Sequence, residues 1–364
     1  MKALVLGKGK SGTAAAALLR AQGYEVDFAD GYDRVVVSPG LQAKSELQLG
    51  CEELKRRGWK LLAVTGSKGK SSVVKLVAEA IGGIPCGNYG RPVADLVSEE
   101  PGWAVVEVSS FQLETTTLPP DTFEAAAILN LQEDHLDRHG SVETYHGLKR
   151  KLLSFAGKNF VGGGRPSGLQ VAGPADRPWT GSYFDNEILA ENAEIAVCLM
   201  RVAGLGDEAI RRAFAEFKPL PHRMNLVAEV GGVRYVDDSK ATSLAALVAG
   251  VKMASADART VRLIAGGLPK GDDPKTALAV LTDRVKKVYL IGQSAEAFSA
   301  AWGGAVDCEI CGTMDRAVEA AKREAETGET VLLSPGTASF DQFQSYGERG
   351  EVFARLVKKE GQPK

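Results

Sequence analysis

The chain has 364 residues, 44% hydrophobic and 25% charged, with a formal net charge of −2. This composition excludes a disordered chain, leaves room for two or three domains, and lacks the basic excess that a nucleic-acid partner usually requires. No apolar run approaches the roughly eighteen residues of a membrane span, and the start "MKALVLGKGKSG" has no leader cleavage pattern, so a cytoplasmic protein without a membrane partner is expected.

Apolar runs alternate with alanine-rich helical stretches along the chain, which predicts α/β domains built on mainly parallel sheets. Residues 1–58 begin with a strand "KALVLGKG", a helix "SGTAAAALLRAQG", and strands "YEVDFAD" and "RVVVSPG". This is a small Rossmann-like domain, closed by the amphipathic stretch "SELQLGCEELKRRG". Gly7, Gly9 and Gly12 form a G-x-G-x-x-G pattern between strand and helix. The βαβ unit is short for a dinucleotide site, and Asp30 is the only acidic candidate for a ribose contact. Another pyrophosphate-containing nucleotide satisfies the same physics. A nicotinamide-dependent oxidoreductase stays open on these glycines, although it leaves the next loop unexplained.

Residues 59–217 form the expected second domain, a parallel sheet of the phosphate-loop ATPase type. In "VTGSKGKSSV", Gly66 and Gly69 let backbone N–H groups turn toward an anion at a helix start. Lys70 can reach terminal phosphates and the Ser71 hydroxyl can bind magnesium. The loop is two residues shorter than G-x-x-x-x-G-K-[ST]. Glu107 ends a strand expected beside this loop, where a carboxylate would hold magnesium against phosphates. Further on, Glu133, Asp134, His135, Asp137 and His139 invite a metal reading, with His135 the best ligand candidate and solvated loop charges the alternative. Lys149 falls on the next helix, where the bland reading is an exposed lysine. A glycine- and proline-rich stretch follows at residues 162–181.

Two prolines near residues 216–224 mark the start of a third, Rossmann-like α/β domain, residues 218–364. Its strands are read at "RYVDDS", "VRLIAGG", "KKVYLIGQ" and "ETVLLSPG". "VDDSKATS", "IAGGLPKGDD" and "LLSPGTASFDQF" are strand ends rich in small and charged residues, where ligands bind in open parallel sheets. Cys308 and Cys311 have C-x-x-C spacing, but no second pair completes a zinc site. Incidental thiols are the simpler reading.

Taken in order, "VTGSKGKSS", "EVSSFQLE", "NLQEDHLDRHGSVETYHGLK", "HRMNLV", "DDSKATS", "IAGGLPKG" and "SPGTASFDQF" resemble the Mur ligases over essentially the whole chain, most closely the D-glutamate-adding branch. The resemblance implies an ADP-forming amide ligation through an acyl phosphate. The first domain would hold the UDP of a sugar-peptide acceptor, the second ATP, and the third the incoming glutamate. Small-molecule substrates are implied, in a monomer, with ATP, two magnesium ions and a carbamate on Lys149.

The family pattern places ATP on Gly66, Ser67, Lys68, Gly69, Lys70, Ser71 and Ser72, and on Asn192, Arg223 and Asp238. Lys70, Glu107, His135 and Lys149 take catalytic roles. Ser71 and Glu107 would hold one magnesium, His135 and carbamylated Lys149 the other. Gly7, Lys8, Gly9, Lys10, Ser11, Ser38, Pro39, Gly40, Asn88, Gln112 and His135 would meet the UDP-sugar. Lys240, Thr242, Lys270, Ser339 and Tyr346 would surround glutamate. The chain departs from the pattern at Lys68, where asparagine is usual, at Ile188 and Leu189 in place of a His-Asn pair, and at Tyr346 in place of phenylalanine. Its first two domains are also shortened. A ligase for L-glutamate or another amino acid, and a non-catalytic nucleotide-binding or regulatory ATPase, are the remaining alternatives.

Overall fold

A computed structural model describes residues 1–30, 43–133, 135–162, 177–186, 188–255 and 258–359. The chain forms two compact α/β units, one of residues 1–185 and 189–217, the other of 186–188 and 218–364.

The first unit opens with β1 (Lys2–Leu6), α1 (Lys10–Ala21) and β2 (Glu25–Ala29), whose two strands pair in parallel. The strand read at "RVVVSPG" lies outside the described residues. Helix α2 (Glu46–Arg56) starts at Ser45, whose hydroxyl accepts the Gln48 N–H at 3.1 Å. Its buried Leu47, Cys51 and Leu54 share a core with Ala14 and Leu18 of α1 and with Leu61, Ala63 and Val106 of the next sheet. Only glycine fits at position 50, because a Cβ there would stand 2.8 Å from the Ala94 nitrogen.

That next sheet contains β3 (Lys60–Thr65), β4 (Ile84–Gly87), β5 (Trp103–Glu107), β6 (Ala125–Ile128) and β7 (Asn159–Val161), in the order β4-β5-β3-β6-β7. Every pairing is parallel. Helices α3 (Lys70–Ile81), α4 (Ser110–Thr115), α5 (Leu136–His139), α6 (Val142–Lys151), α7 (Ala190–Val202) and α8 (Asp207–Glu216) complete the unit. Leu61, Leu62, Ala63 and Val64 of β3 are all fully buried, the continuous apolar run of a central strand covered on both faces. The chain leaves β3 for β4 and β5 on one side and returns to β6 on the other. The carboxyl end of β3 is therefore a topological switch point, where open α/β sheets bind ligands.

The second unit holds β8 (Asn225–Val230), β9 (Val233–Asp237), β10 (Val261–Gly266), β11 (Val285–Ile291), β12 (Asp307–Gly312) and β13 (Thr330–Leu333), ordered β12-β11-β10-β13-β9-β8. All pairs are parallel except the β8–β9 hairpin. Helices α9 (Leu244–Ala254), α10 (Leu278–Arg284), α11 (Ala295–Trp302), α12 (Met314–Glu324) and α13 (Tyr346–Lys358) pack around it. β9, β10, β11 and β13 are the strands expected from the sequence, and the structure adds β8 and β12 at the two edges. β12 contains the C-x-x-C spacing. Residues three apart on a strand face opposite sides, and here Cys308 and Cys311 join different cores. They do not form a pair, and burial pushes each thiol up to about 11. Among the described residues no helix is long and apolar enough to cross a membrane.

Candidate active site

The loop from β3 into α3 bends at Gly66 and Gly69, with φ of +151° and +84°. Those angles suit glycine, and a Cβ at Gly69 would also lie 2.1 Å from Asn192 Nδ2. Lys70 Nζ donates to the Gly66 and Ser67 carbonyls at 2.8 and 3.1 Å. The Lys68 N–H donates to Asn130 Oδ1 at 2.9 Å, while Asn130 Nδ2 donates to Lys68 O at 2.9 Å and to Asn192 Oδ1 at 3.2 Å. Asn130, just beyond β6, thus clamps the phosphate loop to Asn192 of α7. Ser71 and Ser72 lie in the first turn of α3, Ser72 buried.

Pairing of β5 with β3 sets Glu107 opposite Val64. Glu107 is 2% exposed. Its Oε1 accepts from Asn88 Nδ2 at 2.8 Å, whereas Oε2 is buried without a hydrogen-bond partner among the described residues. An orphaned carboxylate oxygen is costly to bury, and a cation would satisfy it. Gln112, expected at the sugar substrate, closes a capping box: its Oε1 accepts the Ser109 N–H at 2.9 Å, and Ser109 Oγ accepts the Gln112 N–H.

Beyond β6, His135 adopts a left-handed φ of +53° at the start of α5. Its ring lies 5.0 Å from Phe111 and 6.2 Å from Tyr145. Tyr145 donates to Ser67 Oγ at 3.2 Å and has Lys149 Nζ 4.5 Å from its ring centroid. Lys149 is 1% exposed, and its Nζ donates to Gly66 O at 2.9 Å. The bland reading of an exposed lysine is corrected: α6 turns Lys149 into the phosphate loop. Of the five residues that invite a metal reading, His139 is the one whose ring is already taken up. His139 is buried, with Nε2 3.0 Å from Ser110 Oγ and Nδ1 3.2 Å from Glu114 Oε1, so both ring nitrogens are engaged. Asp134 and the Asp137 side chain lie outside the described residues, among which no group of three or more His, Cys, Asp or Glu side chains is set to hold a metal. Magnesium is nevertheless compatible, since it is commonly held by one or two carboxylates plus substrate phosphates. Asn130 and Tyr145 are the two residues of this site that the sequence reading misses. Tyr145 could have been found four residues before Lys149, on the same helical face.

At the N-terminal glycines, Gly7 has a φ of +89° and donates its N–H to Ala29 O at 2.9 Å. A Cβ at Gly12 would meet Gly7 O at 2.0 Å, so helix α1 can start this close to the turn only with glycine. Gly9 is the N-cap of α1, and Lys8, Lys10 and Ser11 are exposed around it or just inside the helix. Ser38, Pro39 and Gly40 lie outside the described residues.

In the second unit, β10, β13 and β9 are neighbours, so the three ligand-type loops share one end of the sheet. Asp238 is buried and accepts from Ser334 Oγ at 2.9 Å. Burial lifts its carboxyl to about 7, opposed by the Ser334 hydroxyl and the Arg223 charge. Lys240 Nζ sits 3.8 Å from the Tyr346 ring centroid, a cation–π contact. Thr242 follows in the same loop, Ser339 is buried beyond β13, and Lys270 is exposed beyond β10. His222 Nδ1 is 2.7 Å from Asp237 Oδ2, adding a pair that the sequence reading does not assign.

Residues 64–162 match the Mur ligase middle domain, and residues 222–336 match the Mur ligase glutamate ligase domain. A UDP-N-acetylmuramoylalanine--D-glutamate ligase of Acidobacterium capsulatum is 33% identical, over 98% of this chain and 96% of its own. The enzyme of that name from Rubrobacter xylanophilus is 38% identical, over 90% and 85% respectively. The first alignment runs over 456 residues, so the A. capsulatum protein carries segments that this shorter chain lacks. Among solved structures, the MurF ligase of Thermotoga maritima in complex with ADP superposes with a TM-score of 0.63 at 14% identity, covering 98% of this chain and 94% of its own. At that identity the likeness is one of fold.

Proposed function

The chain belongs to the Mur ligase family, and from that premise we propose that it joins D-glutamate to UDP-N-acetylmuramoyl-L-alanine at the expense of ATP, in peptidoglycan precursor synthesis. The observation that carries this reading is the 33–38% identity to D-glutamate ligases over nearly the full chain.

A carboxylate is a poor electrophile, so the alanyl carboxylate first attacks the γ-phosphorus of ATP. ADP leaves, and an acyl phosphate forms. The amine of glutamate then attacks the activated carbonyl, and the tetrahedral intermediate expels phosphate. Catalysis is mostly positioning and neutralisation of crowded negative charge.

Lys70 would exchange the Gly66 and Ser67 carbonyls for β- and γ-phosphate oxygens. Ser67, Lys68, Gly69, Ser71 and Ser72 would present the rest of the loop, held in shape by Asn130 and Asn192. Glu107 and Ser71 would hold one magnesium ion, His135 and Lys149 a second. Bound there, the ions would screen the transferring phosphoryl group. An ammonium would repel such an ion, so Lys149 would carry a carbamate, whose remaining N–H could keep the bond to Gly66 O. High-resolution density showing a bare Lys149 ammonium beside two occupied magnesium sites would remove that assignment. Arg223 and Asp238 would complete the ATP contacts. Lys240, Thr242, Lys270, Ser339 and Tyr346 would receive the two glutamate carboxylates. Asn88 and the glycine turn at residues 7–11 would meet the UDP-sugar, in a monomer.

Phosphate release with ATP, magnesium and UDP-N-acetylmuramoyl-L-alanine, run in parallel with D- and L-glutamate, tests the reading. Release dependent on D-glutamate supports it. Release with neither amino acid overturns it, and preference for L-glutamate overturns the stereochemical part.

A further inference from the structure

The Arg349 side chain is 1% exposed, yet among the described residues it makes no ion pair. Its Nε donates to Ser239 Oγ and its Nη2 to Ser239 O, each at 2.9 Å. Nη2 also donates to Thr337 O, and Nη1 to Ala338 O, each at 3.2 Å. The same Ser239 hydroxyl donates to Tyr346 O at 2.8 Å. One guanidinium thus joins the loop after β9, the loop after β13 and the first turn of α13. Gly350 lets α13 lie against the end of β9 and His222, since a Cβ there would lie 2.2 Å from His222 Nδ1 and 2.6 Å from Asp237 Oδ2.

Burying a guanidinium without a carboxylate against it is expensive, and an apolar side chain of similar length would fill the space more cheaply. What arginine adds is a rigid planar fork that fixes several acceptors at once. Burial lowers its pKa to about 10, with Asp341 and Asp237 opposing the shift, so it stays charged at neutral pH. Apart from the Ser239 hydroxyl, the acceptors it takes are main-chain carbonyls of the loops that carry Lys240, Thr242 and Ser339. Free carbonyls there would repel an incoming carboxylate, and engaging them leaves the donors of those loops to dominate the local field.

We propose that Arg349 is a positioning residue for the incoming amino acid: through Ser239, Thr337 and Ala338 it fixes the two loops that receive the glutamate carboxylates. This inference rests on the glutamate-ligase reading.

The test compares full-length wild type with Arg349→Lys, which keeps the charge but loses the fork, and with the milder Ser239→Ala. KM for D-glutamate, KM for ATP, kcat and thermal midpoint are measured for each. The expected result is a rise in glutamate KM of about tenfold for Ser239→Ala and about a hundredfold for Arg349→Lys, with ATP KM held within about twofold. A merely structural role would lower the thermal midpoint and leave the two KM values unchanged or moving together, and that result overturns the proposal. If Arg349→Lys fails to fold, Ser239→Ala decides. Wild-type turnover separates the two claims: without it the functional reading falls and takes this inference with it, whereas with it only the KM split bears on Arg349.

Discussion

Asn88 and Glu107 meet through a 2.8 Å hydrogen bond that satisfies one carboxylate oxygen and leaves the other buried and, among the described residues, unpartnered. Asn88 sits just beyond β4 and Glu107 ends β5, and the pairing of Gly87 with Glu107 aligns them. A residue assigned to the sugar-peptide acceptor therefore holds a residue assigned to magnesium. Asn88 would then link the acceptor to the metal ligand.

Glu107→Gln should keep the Asn88 contact within reach while removing the charge. The expected outcome is a loss of about 10²–10³ in kcat, in the range seen when one electrostatic contact to the transition state is removed. The magnesium concentration for half-maximal activity should rise as well. A magnesium titration of phosphate release checks both effects, and activity within twofold of wild type would contradict the role.

Gly69→Ala should impair ATP use by two routes. Its φ of +84° strains any L-residue, by about 1 kcal/mol, and the new methyl would run into Asn192 Nδ2. ATP KM should rise at least about tenfold. Combining it with Asn192→Ala should recover part of the loss, because the clash is gone while the strain remains. A double-mutant cycle on ATP KM reads this coupling, and strictly additive effects would show that Asn192 does not press on the loop.

Asp238 predicts a pH dependence of stability. Its carboxyl titrates near 7 when folded, against an ordinary value of 3.8, so between about pH 4 and 7 the folded chain binds more protons than the unfolded chain at this site. The raised value means its contribution to stability is lost as pH rises through that window and is level above it. Asp238→Asn cannot titrate, so its thermal midpoint relative to wild type should climb from pH 4 to pH 7. A constant difference across those pH values would mean that Asp238 is ionised throughout.

The phosphate loop and Glu107 were legible because their chemistry is local: glycines, a lysine and hydroxyls between a strand and a helix, and a carboxylate at a strand's end. Asn130 was not, since its partner Lys68 stands 62 positions away and only the pairing of β6 with β3 brings them together. Tyr145 was hidden for the same reason, and so was the burial of Lys149, because helical spacing does not say what the helix faces. His135 is preferred over His139 in sequence only for its place just after a strand. The left-handed turn at His135 sends the short helix α5 on so that His139 is buried against Ser110 and Glu114. Edge strand β12 was missed because its charged residues and cysteines break the apolar run by which inner strands such as β10 are read.

The central claim is that the acceptor's own carboxylate oxygen becomes part of the released phosphate. It is tested most directly with UDP-N-acetylmuramoyl-L-alanine labelled with ¹⁸O in the alanyl carboxylate, turned over with ATP, magnesium and D-glutamate, and followed by mass spectrometry of the phosphate. The expected result is one labelled oxygen in each phosphate formed and amide product in equal amount. Unlabelled phosphate alongside amide product would contradict it, because the carbonyl would then have been activated without bonding its oxygen to the γ-phosphorus.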